Sequence, residues 1–263
     1  MLNKLFKYDF KWITKVLYIY YIVIAFVSIA LKIVEHFVNT DPSLLLVIVD
    51  KTLVSLFIGA VASVMINTIM RIWARCVSNF YKDESYLTHT LPVTKSELFN
   101  SKVLAGICSL LLSTLVIVVC LAFIYLNKSS IESIKIMWNS LVAAYNLPFA
   151  VCFVIGFILI IVLEVIYMMM CGVLGITIGH RFNNYKMLKS ILIGLVSYGL
   201  LSLVSLIIVF IITKYVEADV VNGFPSMSYI GSMGTTALII YTVYNIVYYL
   251  IAKKVFNKGV NVE

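Results

Sequence analysis

The sequence is poor in charge. Of its 263 residues only 12% are Asp, Glu, Lys or Arg, about half the roughly 25% of a soluble domain. Only three histidines are present, His36, His89 and His180. They fall far apart and form no H-x-x-x-H or H-E-x-x-H pair, so no zinc site is expected. Five cysteines, Cys76, Cys108, Cys120, Cys152 and Cys171, include no C-x-x-C pair; they read as small buried hydrophobes in or beside membrane spans, not as disulfides or metal ligands. Nowhere does G-x-x-x-x-G-K-[ST] occur, so the chain has no loop with which to cradle ATP phosphates. An intramembrane serine protease would want G-x-S-G and a membrane histidine, and Gly194-Leu-Val-Ser-Tyr-Gly199 does not supply it. Paired catalytic carboxylates are missing too. The chain is not expected to be an enzyme or to bind a cofactor itself.

What is present is apolar: 62% hydrophobic residues and a mean hydropathy of +1.05. A soluble fold of this length leaves roughly a quarter of its chain surface in water and could not hide that much. A membrane-crossing helix needs about 20 apolar residues. Six stretches qualify, Val16–Leu31, Thr52–Met70, Val103–Leu126, Phe149–Gly179, Ser190–Thr213 and Thr235–Ala252, the fourth long enough to be tilted or broken near its glycines. The net charge of +8 is informative through its placement, and nucleic acid is not an expected partner. Fifteen Lys and Arg residues fall in the two termini and in segments 71–102 and 180–189, against five in the opposite loops. By the positive-inside rule both termini face the cytoplasm. Cleavage after the first span is not expected, although Ser28-Ile-Ala30 resembles a signal-peptidase site. The expectation is an all-α integral membrane protein. Its single transmembrane domain, 1–263, is a six-helix bundle in the cell membrane with a cytoplasmic tail at 253–263.

Residues 1–15 read as a cytoplasmic amphipathic helix. Lys4, Lys7, Lys11 and Lys15 share one face, and Leu2, Phe6, Phe10 and Ile13 share another, the pattern of a helix lying in the headgroup layer. The 71–102 loop is more specific. Pro92 ends any helix arriving from span two, and Thr94 with Glu97 forms a capping box, which predicts a fresh helix from Lys95. Such a loop makes a rigid elbow level with the inner headgroups.

The run Asp83-Glu84-x-Tyr86-Leu87-Thr88-x-Thr90-Leu91-Pro92-Val93-Thr94-Lys95, followed by Ser101-Lys102, resembles the cytoplasmic loop of ABC-2 type transporter permeases. These are six-span subunits in which an acidic DE-x-Y-L segment leads into LPV, a hydroxyl residue and a basic residue. The resemblance implies docking of a separate P-loop ATPase, which carries ATP and Mg, on this loop, and pairing with a second permease copy or paralogue for export. It assigns coupling roles to Asp83, Glu84, Leu91, Pro92, Thr94, Lys95 and Glu97. A cargo is not named by any motif; the family suggests a peptide, an antibiotic or a lipid-like amphipathic molecule.

Within the spans, Glu164 stands alone. A carboxylate at the helix centre costs on the order of 3 kcal/mol to insert, so it should face the bundle or a wet cavity. Tyr241, Tyr244 and Tyr248 line one face of the last span with Asn245 beside them, and Asn67 sits in span two; with Glu164 these are the candidate translocation-path residues. Gly175 and Gly179 form a G-x-x-x-G pair, read as a close helix contact or as a hinge. A second reading keeps the same spans without pumping: a membrane immunity or regulatory protein that binds a partner or toxic peptide.

Overall fold

The computed structural model describes residues 2–40, 43–82, 84–90, 92–216, 220–221 and 224–259. Among these, eight helices follow in order: α1 (Leu2–Thr40), α2 (Leu44–Tyr81), α3 (Ser85–Thr90), α4 (Lys95–Tyr125), α5 (Lys128–Tyr145), α6 (Leu147–Gly179), α7 (Lys186–Tyr215) and α8 (Met227–Asn257). A two-residue antiparallel ladder, β1 (Val220–Val221) with β2 (Phe224–Pro225), joins α7 to α8 and pairs Val220 with Pro225. Six of the helices, α1, α2, α4, α6, α7 and α8, are long and apolar enough to cross a membrane. The chain is therefore a multi-pass membrane protein.

The helices outrun the apolar stretches that predicted them, so two of the connections contract. α1 ends at Thr40 and α2 begins at Leu44. The N-terminal segment 2–15 is the first part of α1, continuous with the span. α4 starts at Lys95, with Glu97 in its first turn, and runs unbroken through the apolar stretch. The fourth apolar stretch is one helix without a break at its glycines. An element the sequence reading missed, α5, lies before it. The helix breaks fall where the backbone turns left-handed or extended: Asn146, between α5 and α6, has φ 72°, and Tyr185, before α7, has φ 54°. Pro148, at the start of α6, suits a first helical turn because no intrahelical partner is lost there.

The chain divides into two compact units, Met1–Arg75 with Glu97–Glu132, and Cys76–Ser96 with Ser133–Glu263. The first is pinned at three levels. At one end Asp9 of α1 is 1% exposed and accepts from Arg75 Nε at 3.0 Å, Lys102 Nζ at 2.5 Å and Ser101 Oγ at 3.1 Å. Midway, buried Ser113 of α4 bonds Tyr21 of α1 at 2.7 Å and Thr68 of α2 at 2.8 Å. At the far end Lys32 donates to the Ile124 carbonyl at 2.6 Å and to Asn127, whose amide reaches Glu35 at 3.2 Å. Asp9 and Lys32 are 23 residues apart on α1, about 35 Å at 1.5 Å per residue. Asp50 and Arg75 on α2, and Lys102 and Asn127, bracket closely similar lengths. The polar ends thus stand apart by slightly more than the ~30 Å of bilayer hydrocarbon.

In the second unit α6 packs against α7 and α8. The α6–α7 contact needs glycine. A Cβ on Gly175 would sit 2.4 Å from the Ser190 carbonyl oxygen and 2.8 Å from the Gly194 nitrogen, and one on Gly179 would sit 2.5 Å from Ser190 Cα. These glycines let two backbones touch within a continuous helix, the close-contact role and not a hinge. All five cysteines are free thiols, with Cys76, Cys120 and Cys171 buried, Cys108 half-buried and Cys152 exposed. The expectation of five buried thiols fails at Cys152.

Candidate functional site

Two groups of the sequence-selected residues fall in the second unit, except Glu97, which belongs to the first unit. The first group lies at the centre of the second unit's helices. Tyr167 of α6 is fully buried, and its ring centroid stands 5.6 Å from Tyr248, 5.9 Å from Tyr198, 6.0 Å from Tyr241 and 6.2 Å from Tyr244. Tyr241 and Tyr244 meet it edge-on, at 73° and 87°, an arrangement the aromatic quadrupole favours. The α8 tyrosines pack by their i, i+3 and i+7 spacing on one face, while Tyr167 and Tyr198 arrive from α6 and α7. Two phenols share one acceptor: Tyr167 donates to the Ser197 carbonyl at 2.7 Å and Tyr248 to the same oxygen at 2.9 Å.

Glu164 sits midway along α6, at the edge of this cluster, within electrostatic reach of the Tyr241 phenol. It is exposed at the surface of the chain, so of the two surroundings expected, the bundle or a wet cavity, it is not packed within this chain's own helices. Glu164 stands at the border of the buried face of α6: Tyr167, three residues on, and Cys171, seven on, are buried, whereas Ile161, three before, and Met168, four on, are exposed with it. Among the described residues its carboxylate has neither an ion-pair nor a hydrogen-bond partner. Beside it, the Asn245 side-chain amide donates to the Leu163 carbonyl at 3.1 Å and to the Tyr241 carbonyl at 2.9 Å. Two carbonyls facing the nitrogen fix which way the amide points, and Asn245 Oδ1 is left buried without a donor. So Glu164, Tyr241, Tyr244, Asn245 and Tyr248 come together. Asn67 belongs to the first unit and bonds within its own helix, to the Ser63 carbonyl at 2.8 Å.

The second group is the elbow. The end of α2 is fastened by aromatic contacts: Phe80, fully buried, meets Phe256 of α8 at 4.3 Å, and Tyr81 stacks on His180 after α6 at 4.2 Å and 21°. His180 Nδ1 lies 2.9 Å from the Ile176 carbonyl, which makes it the protonated nitrogen, and 3.2 Å from Ser190 Oγ. Glu84 closes the turn: its carboxylate takes the Asn79 amide, and its carbonyl accepts from both the Thr88 amide at 2.9 Å and the Thr88 hydroxyl at 2.6 Å. Glu84 therefore shapes the elbow whatever else it does. Beyond it Tyr86 and Leu87 are 67% and 75% exposed, and Pro92, Thr94 and Lys95 are exposed as well. Glu97 is half-buried in the first turn of α4. Asp83 and Leu91 lie outside the described residues.

No protein-family model matches the chain, and no curated protein or solved structure matches it either. Its chemistry has to be argued from these two constellations.

Sequence reading missed one polar centre altogether. Asp9 with Arg75, Ser101 and Lys102 was absent from the candidate residues, and so was Trp12. The Trp12 ring carries the Arg71 guanidinium at 4.8 Å and that of Arg75 at 5.0 Å, a cation–π arrangement. The available signal was the acid itself: one Asp among four lysines on a helix whose apolar face must be covered.

Proposed function

We propose that the chain is the membrane-spanning permease subunit of an ABC-type exporter, driven by a separate P-loop ATPase that holds ATP and Mg. In this reading the protein lies in the cell membrane with both termini cytoplasmic, pairs with a second copy or a paralogue, and carries a peptide, antibiotic or lipid-like amphipathic substrate. The elbow carries the proposal. Exposed apolar and basic side chains, Tyr86 and Leu87 on α3 and Pro92 and Lys95 between α3 and the first turn of α4, follow an end of α2, Phe80 and Tyr81, that packs on Phe256 of α8 and on His180 after α6. A load applied to those side chains is transmitted to helix ends, because packed side chains yield little. Asp83, Glu84, Leu91, Pro92, Thr94, Lys95 and Glu97 are the coupling residues in this proposal. The exposed Lys4, Lys7, Lys11 and Lys15 then meet anionic cytoplasmic headgroups at the start of α1.

A mild-detergent pull-down of the tagged chain from its native host tests this. A near-stoichiometric P-loop ATPase should co-purify and should be lost in the double variant Lys95→Glu, Glu97→Lys. If no ATPase is recovered, even after cross-linking in intact membranes, the permease reading falls. A non-pumping immunity or regulatory protein then takes its place.

A further inference from the structure

The cluster around Glu164 is unbalanced in one direction. α6 contains no Lys or Arg, and α7 and α8 carry theirs only near the ends, at Lys186, Lys189, Lys214, Lys253 and Lys254. The two most buried phenols of the cluster, Tyr167 and Tyr248, already donate to the Ser197 carbonyl. Glu164 has no partner among the described residues, and Asn245 Oδ1 is a buried acceptor without a donor. Tyrosine π-faces, also electron-rich, complete the surroundings, with Tyr241 and Tyr244 half-exposed and Tyr198 38% exposed. The Tyr198, Tyr241 and Tyr244 hydroxyls can still donate or accept, but none of the three helices brings a positive charge to the Glu164 carboxylate. What the site lacks is a cation.

We propose that Glu164 and the Tyr241–Tyr244 face bind the ammonium head of an organic cation whose apolar tail lies along the exposed α6 surface. Three terms favour this ligand. An ammonium neutralises a carboxylate that is costly at membrane depth. Its protons donate to that carboxylate. Its charge is stabilised by the tyrosine faces, the chemistry of aromatic cages. The tail has a place as well: Phe153, Phe157 and Ile161 of α6, on the same helix face as Glu164, are all exposed. An anionic amphiphile would meet Glu164 with like charge. The proposal deepens the transport reading by naming a cargo class for the same path, and rests on it for the purpose of the binding.

The test uses the full chain in zwitterionic-lipid nanodiscs, titrated by calorimetry with decylammonium, decyltrimethylammonium and decyl sulfate, with empty discs subtracted. Decylammonium should bind saturably. Glu164→Gln should weaken it about tenfold or more, the loss of one charge-assisted hydrogen bond, and Glu164→Asp should retain most of the affinity. Decyltrimethylammonium, which has no N–H, should bind more weakly than decylammonium, and decyl sulfate should show no saturable phase. Wild-type binding that is absent, that is equal for decyl sulfate, or that is unchanged in a Glu164→Gln chain with wild-type elution and melting overturns the proposal. The outcome is separable from the transport reading. No ATPase takes part in this binding, and a failed pull-down leaves the titration unaffected.

Discussion

Replacing Asp9 by Asn tests whether the buried ion cluster holds the first unit together. The substitution keeps the shape of the side chain and removes its charge. Asp9 and Lys102 side chains are each 2% exposed, whereas Arg75 is 12% exposed. When the carboxylate goes, Lys102 is left as a buried ammonium facing an amide, and Arg75 can move part of its charge towards water. Breaking a buried pair by removing one partner costs about 3–5 kcal/mol, and the asymmetry in exposure assigns most of that cost to Lys102. The double variant Asp9→Asn, Lys102→Met removes the stranded charge. It should recover part of the loss, with a coupling energy of about 1–3 kcal/mol between the two sites. Reversible unfolding in mixed micelles, followed by tryptophan emission, gives the free energies. Trp12, stacked under Arg71 and Arg75, reports locally. If Asp9→Asn lies within ~0.5 kcal/mol of wild type, as an ordinary surface change would, the cluster is not what fastens α1 to α2 and α4.

Two other substitutions probe the second unit. Gly175→Ala must push α6 and α7 apart, because its Cβ would meet the α7 backbone at two atoms, 2.4 and 2.8 Å away; a loss of about 1–3 kcal/mol or more is expected in a melting assay, and a neutral Gly175→Ala would show that the helices do not touch there. Tyr167→Phe and Tyr248→Phe each remove one hydrogen bond to the Ser197 carbonyl and should each cost about 1 kcal/mol. Because they share an acceptor, the double variant should cost more than the sum, since only it leaves that oxygen without a phenol; strict additivity by the same melting assay would argue against the shared bond.

Much of the fold is legible because membranes impose a simple constraint. Backbone groups must be satisfied inside the segment, so long apolar runs become helices, and all six runs fall in helices here. The start of α4 at Lys95 was readable for a different reason, since Pro92 and the Thr94–Glu97 pair restrict where a helix can begin. α5 was not readable. Its apolar residues are interrupted by Glu132 and Lys135, which puts it below the length and hydropathy that mark a span, and amphipathic segments on the flanks of spans carry no comparably strong signal. The Tyr cluster was half legible. The spacing of Tyr241, Tyr244 and Tyr248 puts them on one face of α8, but nothing in the sequence says that Tyr167 and Tyr198 complete it from two other helices. Partnering across elements decides Asp9 in the same way, since Arg75, Ser101 and Lys102 reach it from 66 to 93 residues away.

The chain handles its two most isolated acids in opposite ways. Asp9 is enclosed and given three donors, two of them cationic, although it lies outside the apolar stretch where water would have solvated it. Glu164 lies at the middle of an apolar helix, where solvation is poorest, and receives none among the described residues. A sequence under pressure for stability alone would make the reverse choice, because an unpaired carboxylate costs most at the centre of a span and a glutamine of nearly the same shape would remove that cost. Stability therefore gives no reason for the glutamate. Its presence is accounted for in the proposal made above, where the compensating charge arrives from outside the chain with the bound cation. That is the condition under which binding energy selects one charge type, since a neutral or anionic molecule in the same place would leave the carboxylate uncompensated.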